Sequence, residues 1–154
     1  MSGDIEARLK SLGIDLPSVP KPLANYVPSV ITGNLVYVSG QVPMTPEGLQ
    51  YVGKIGREFT IEDGQKAARI CAINILANLK GAVGDLEKIV RIVKMTGFVN
   101  AAADFNEPQF VVNGASDLMV EVLGERGQHA RSAVGVATLP SGVAVEIEAI
   151  AEIA

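Results

Sequence analysis

The chain predicts a single α+β domain: a mixed β-sheet with two main helices packed on one face. Two observations lead there. Segments near 60–82 and 107–124 repeat apolar residues at three- and four-residue spacing, as helices with one buried face do. Other segments are dense in β-branched residues or alternate strictly, as strands do. Read in order they give α, β, β, α, β, α, β, β, which lets both major helices cover the same side of one sheet.

Residues 2–12 read as a short helix, with Ile5, Leu9 and Leu12 on one face and Gly13 to end it. Three prolines in the six positions 17–22 force an extended arm, which with little core of its own is expected to lie on a neighbouring surface. The organisation is therefore an N-terminal helix and Pro-rich arm over 1–22, followed by the domain proper over 23–154. Strands are expected at 27–32 and 35–39, joined by Thr32-Gly33-Asn34. Pro28 makes the first an edge or irregular strand, because proline cannot donate to a ladder.

A Gly-rich connection (Gly48, Gly53, Gly56) leads into the clearest helix. Thr60 is its cap and Asp63 stands at the capping-box position, a weaker partner there than glutamate. Its apolar stripe is Ala68, Cys71, Ile75, Leu79 and Ala82. Val90–Val99 reads as a strand. The second main helix starts near Asn106 or Glu107, accepts Pro108 in its first turn, and ends near Gly124. Phe110, Val111, Leu118, Met119 and Val122 form its apolar side. Two short strands, Ala130–Pro140 and Val143–Ala149, close the chain as a half-buried hairpin around a Pro-Ser-Gly turn.

With 154 residues the chain can bury a substantial core. Hydrophobic residues make up 48% and aromatics only 5%, with no Trp, so that core must be built from Val, Ile, Leu and Ala. No apolar run approaches the roughly 18 residues of a membrane-spanning helix, so no membrane partner is expected. The start, Met1-Ser2-Gly3-Asp4-Ile5-Glu6, lacks the basic and apolar blocks of a secretory signal. One cysteine excludes an internal disulfide and suits a reducing compartment, so a cytoplasmic location is expected. Net charge −4, with basic residues spread among acidic ones, argues against a nucleic-acid partner.

The final strands hold the polar residues with the most chemical promise. Period-two geometry puts Glu146 and Glu148 on one face, and Arg131 opens the preceding strand. A guanidinium fork binds a carboxylate through two parallel charge-assisted hydrogen bonds, and a nearby carboxylate can hold or activate water. The plainer reading is a solvated polar face, since alternating Glu is ordinary in strands. Cys71, on the apolar stripe, reads as a core residue. Gly53-x-x-Gly56 is no phosphate loop, because no Lys-Ser/Thr follows it. No His/Cys/Asp group has metal-ligand spacing, and no cofactor is implied.

Arg131-Ser132-x-Val134, Leu139-Pro140 and Val145-Glu146-Ile147-Glu148-Ala149 resemble the C-terminal motif of the Rid/YjgF family of imine and enamine deaminases. Tyr26 and the run Gly33–Pro43, with its Ser39-Gly40-Gln41 turn, resemble the same family's first hairpin. The likeness spans about residues 20–154 with both motifs in order. It implies a chorismate-mutase-like fold and a homotrimer with clefts between subunits. An uncovered apolar sheet face independently favours self-association, though not the number three. It also implies roles: Arg131 binds the substrate carboxylate, Glu146 positions or activates water, and Tyr26, Ser39 and Asn113 line the cleft. Glu148 is a same-face neighbour that shapes the local field, and a helix-surface or capping residue is the plainer role for Asn113.

Several positions depart from the family pattern. Ala133 stands where a cysteine is common, leaving only its backbone N–H to contact substrate. Tyr26 follows Ala24-Asn25 in place of Gly-Pro, and the N-terminal extension is long. His129, the only histidine, reads as a surface residue at a loop-to-strand junction, with an extra acid or base as the alternative. The implied reaction is hydrolysis of a 2-imino or 2-enamino acid to the 2-keto acid and ammonia, so the expected ligand is a small carboxylate-bearing imine, enamine or keto acid. Three other functions are open to such a chain. A non-catalytic trimer binding a small carboxylate metabolite would use the same arginine. A ribonuclease is poorly served by the acidic balance and single histidine. A chorismate-mutase-type isomerase would need more than one site arginine for its dicarboxylate substrate.

Overall fold

The computed structural model describes residues 3–19 and 25–154. Its elements are α1 (Asp4–Ser11), β1 (Ser29–Thr32), β2 (Leu35–Gln41), β3 (Met44–Thr45), β4 (Gly48–Leu49), α2 (Ile61–Val83), β5 (Ile89–Asn100), α3 (Pro108–Leu123), β6 (Ala130–Val136) and β7 (Val145–Ile153). Five strands form one mixed sheet in the order β1-β2-β7-β5-β6. All neighbours are antiparallel except β5 and β6, which run parallel across the α3 crossover. β3 and β4 form a two-stranded hairpin inside the Gly-rich connection, where no strand was expected.

The terminal hairpin is corrected. β6 and β7 do not pair: β5 lies between them, and β7 fills the gap between β2 and β5. Local alternation marks a strand but does not name its neighbour, which here is set by the crossovers through α2 and α3. Within β7 the expected alternation holds. Val145, Ile147, Ala149 and Ala151 are buried, while Glu146, Glu148 and Glu152 take the other parity.

The helices cover one sheet face. Val36, Val38, Met95, Val99, Ile147 and Ala149 meet the buried stripe Ala68, Cys71, Ile75 and Leu79 of α2 and Val111, Leu118 and Val122 of α3. Two expected core members sit elsewhere: Phe110 and Leu12 are exposed, and Val112 and Ala115 take part in the α3 core. α2 and α3 approach so closely that a methyl at Gly114 would overlap the backbone of Gln65. The opposite sheet face, with Tyr37, Thr96, Phe98, Glu146, Glu148 and Ile150, has no covering layer among the described residues.

The N-terminus of α2 forms the expected box. Thr60 Oγ1 accepts from the Asp63 N–H at 3.2 Å, and Asp63 Oδ2 accepts from the Thr60 N–H at 3.0 Å. That backbone donation, above all, holds the Asp63 carboxyl below its usual range. Thr60→Ala is expected to lower the thermal midpoint by about 3 °C, read by circular dichroism, because the Asp63 N–H loses its acceptor while the backbone donation to Asp63 Oδ2 remains.

α1 has no side-chain cap of its own. Glu87, in the turn before β5, supplies one: its Oε1 accepts from the Ile5 N–H at 3.0 Å and its Oε2 from Arg126 at 3.3 Å. Ile5 and Leu9 complete the anchor by burial in the core. Residues 14–19 follow without regular structure, and Val19 lies against Gly81 of α2, as an arm packed on the body would. The expected arm residues Pro20, Lys21 and Pro22 lie outside the described residues.

Candidate functional site

β6 is an edge strand, and this exposes its chemistry. The Val136 carbonyl accepts from the Ala101 N–H after β5, so even-numbered residues of β6 direct their backbone groups to β5. By the two-residue repeat, the N–H groups of Arg131 and Ala133 point outward from the sheet. Their side chains share the helix-covered face, because Arg131 is in register with the buried Met95 and Ala133 with Gly97, which abuts Val112.

Arg131 therefore lies along α3. Its Nη1 donates to Asn113 Oδ1 at 2.8 Å and to Ser116 Oγ at 3.2 Å, and its Nη2 donates to the Gln109 carbonyl at 3.4 Å. These bonds use three of the five guanidinium N–H groups. Among the described residues the Nε–H and one Nη2–H take no partner, and the Nε–Nη2 edge of the fork is the one that suits a carboxylate. No carboxylate forms an ion pair with Arg131 among the described residues. Asn113 is thus a holder of Arg131, and its place is neither a cap nor a solvated helix surface.

His129 is half-buried, contrary to the surface reading. Its Nδ1 lies 2.6 Å from the Gly127 carbonyl and its Nε2 lies 2.9 Å from Ser116 Oγ. Neither Ser116 nor the Gln109 carbonyl stands out in the sequence. A serine inside a helical pattern carries no signal, and a backbone acceptor leaves none.

The remaining candidates gather elsewhere. Gly40 sits in an irregularity of the β2–β7 register, between Val38 and Gln41, with the Glu146 carboxylate over it. A Cβ at Gly40 would lie 3.0 Å from Glu146 Cδ and closer still to Oε2. Burial chiefly, and repulsion from Glu148 next, raise the Glu146 carboxyl above its ordinary value. Ser39 Oγ donates to the Val27 carbonyl at 2.7 Å and its N–H donates to the Pro28 carbonyl at 2.9 Å. Ser39 thereby ties down the segment that carries the exposed Tyr26.

The structure therefore divides the predicted residues into two half-sites. Arg131, Asn113 and Ala133 belong to the helix-covered face at the β6 edge. Glu146 belongs to the uncovered face, in register with Phe98, two strands from β6, with its carboxylate over Gly40; Ser39, the residue before Gly40, is bonded to the Val27 and Pro28 carbonyls in the segment that follows Tyr26. Within one chain Arg131 and Glu146 are not brought together. Cys71 is fully buried with its Sγ 3.6 Å from the Val145 carbonyl, and burial pushes its thiol up, so it stands as a core residue. Among the described residues no group of three metal-ligating side chains occurs, and no helix is long and apolar enough to cross a membrane.

Comparison with known proteins agrees with this geometry. A family profile described as YjgF/chorismate mutase-like, putative endoribonuclease, matches residues 6–153. Protein TCP17 of Trypanosoma cruzi is 46% identical, over 99% of this chain and 96% of its own. The 2-iminobutanoate/2-iminopropanoate deaminase of Escherichia coli K12 is 34% identical, over 87% of this chain and 91% of its own. The crystal structure of Atu1372 from Agrobacterium tumefaciens, a protein with unknown function, superposes with a TM-score of 0.91 at 52% identity, covering 97% of this chain and 94% of that one. A core of helices on one face of a mixed sheet, the first-hairpin and C-terminal motifs in order along the chain and a profile match over residues 6–153 make the assignment: the chain belongs to the YjgF/chorismate mutase-like family.

Proposed function

We propose that the protein hydrolyses small 2-imino or 2-enamino carboxylates to the 2-keto acid and ammonia, in clefts between the subunits of a homotrimer. The observation that carries this reading is the free edge of the Arg131 fork, two adjacent N–H donors with no protein carboxylate paired to them among the described residues. The substrate carboxylate takes those two donors, and the outward Ala133 N–H lies two residues along the same edge. The iminium carbon is thereby held for attack by water. Water adds across C=N, the carbinolamine loses ammonia, and the C=O forms. No electron changes hands, and positioning supplies most of the acceleration the step needs.

Glu146 takes the proton from the attacking water and returns it to nitrogen. Because Arg131 and Glu146 stand on opposite faces of one chain, a site using both draws them from two copies. The same association covers the open sheet face, whose exposed Tyr37 and Val134 would otherwise meet water. A second reading, a trimer that binds small carboxylates without turning them over, draws on Ala133, whose methyl offers no acid or base.

The test is ammonia and keto-acid release from 2-imino acids generated in place by an amino-acid oxidase, with the oligomer read by sedimentation. Acceleration over the spontaneous rate by a trimer is the expected result. A folded trimer that binds 2-oxobutanoate without accelerating release would leave the second reading.

A further inference from the structure

The histidine cannot be idle where it sits. A carbonyl oxygen only accepts, so His129 Nδ1, 2.6 Å from the Gly127 carbonyl, carries the ring proton of the neutral imidazole. In the neutral ring Nε2 is then the acceptor, and the bond at 2.9 Å takes its proton from the Ser116 hydroxyl. With its one donor committed, Ser116 Oγ offers only lone pairs to Arg131 Nη1 at 3.2 Å. Direction runs along the whole chain of bonds: Arg131 donates to Ser116, Ser116 to His129, and His129 to Gly127. Without His129 the serine hydroxyl is free to turn to the Val112 carbonyl one helical turn back, as helical serines commonly do.

From this geometry we infer that Ser116 and His129 are positioning residues that fix the Arg131 guanidinium with its Nε–Nη2 edge open to a substrate carboxylate. This rests on the reading of Arg131 as carboxylate anchor and deepens it, since neither residue need touch substrate. Three anchors on α3, the Asn113 amide, the Ser116 hydroxyl and the Gln109 carbonyl, hold one planar group. Ser116 is the one whose acceptor direction depends on a further residue, and the chain's only histidine supplies it. An arginine held in this way loses less rotamer freedom when ligand binds.

The ring nitrogens separate the roles. His129→Asn keeps a donor near the Nδ1 position and removes the Nε2 acceptor. His129→Gln places a carbonyl oxygen near the Nε2 position. The first measurement is the 15N–1H spectrum of the Arg131 guanidinium in the ligand-free protein, assigned with Arg131→Lys. The wild type should show separate, slowly exchanging Nη signals. Ser116→Ala and His129→Asn should collapse them, and His129→Gln should keep them.

The second measurement is 2-oxobutanoate affinity. Ser116→Ala and His129→Asn should each weaken it about tenfold, and their double variant no further, because both break one chain of bonds. His129→Gln should stay near wild type, and all four variants should melt close to it. Separate Nη signals in His129→Asn, or additive losses in the double variant, would overturn the inference. Undiminished binding in Arg131→Ala would instead overturn the anchor reading, while the spectrum of the free protein still decides the positioning role.

Discussion

Arg131→Ala is expected to lower kcat/KM for 2-imino acids by roughly two to three orders of magnitude and to abolish measurable 2-oxobutanoate binding. Two charge-assisted hydrogen bonds to the substrate carboxylate go with the guanidinium, each worth about 1.5–3 kcal/mol. The fold should survive. Arg131 is half-buried on an edge strand, and its loss frees only the Asn113, Ser116 and Gln109 acceptors. Arg131→Lys should recover a small part of the activity, since an ammonium keeps the charge but not the two-pronged edge. Steady-state kinetics beside a thermal melt separates these outcomes. Retained activity in a folded Arg131→Ala would remove the carboxylate anchor from the mechanism.

That arginine was legible in the sequence only through the motif around it; its surroundings were not. Asn113 came only with the family resemblance, and Ser116 lies in a helical run where polar residues are ordinary, so its importance depends on β6 settling beside α3. The helices and most strands were readable because their signals are local. Thr60 and Asp63 announce the start of α2, and the 3.6-residue stripe from Ala68 to Leu79 announces its buried side. The alternation of β7 likewise assigned Glu146 and Glu148 to one face.

The pairing of β7 was not local. Its partners, β2 and β5, lie some 50 to 110 residues away in sequence. A short turn at Pro140–Gly142 looks the same whether it joins neighbours or steps over a strand. Read as a hairpin turn, it puts Arg131 and Glu146 on neighbouring strands, where the fold sets β5 between them. Correcting that reading places them on opposite faces and gives the proposed oligomer a chemical reason, beyond covering apolar surface.

The Glu146 half-site can be tested through the residue beneath it. Gly40→Ala puts a methyl where the carboxylate now rests, and the side chain, being flexible, swings aside while the strand stays. Turnover should fall about thirtyfold, consistent with loss of a positioned general base, while 2-oxobutanoate affinity and the melting temperature stay near wild type. Glu146→Gln should match it in kinetics and differ in pH dependence. The wild-type carboxyl titrates above its ordinary 4.5, because burial and then Glu148 disfavour the charged form. As base it must be ionised, so wild-type activity should climb as pH rises through that raised value, and the Gln variant should stay flat there. Stability moves the other way. A carboxyl whose folded pKa exceeds its unfolded one contributes fully below the unfolded value and loses that contribution as pH passes the folded value. At neutral pH Glu146→Gln should therefore melt no lower than wild type, while it turns over more slowly. A variant that both melts lower and keeps its pH-dependent rise would place the working base elsewhere on the open face.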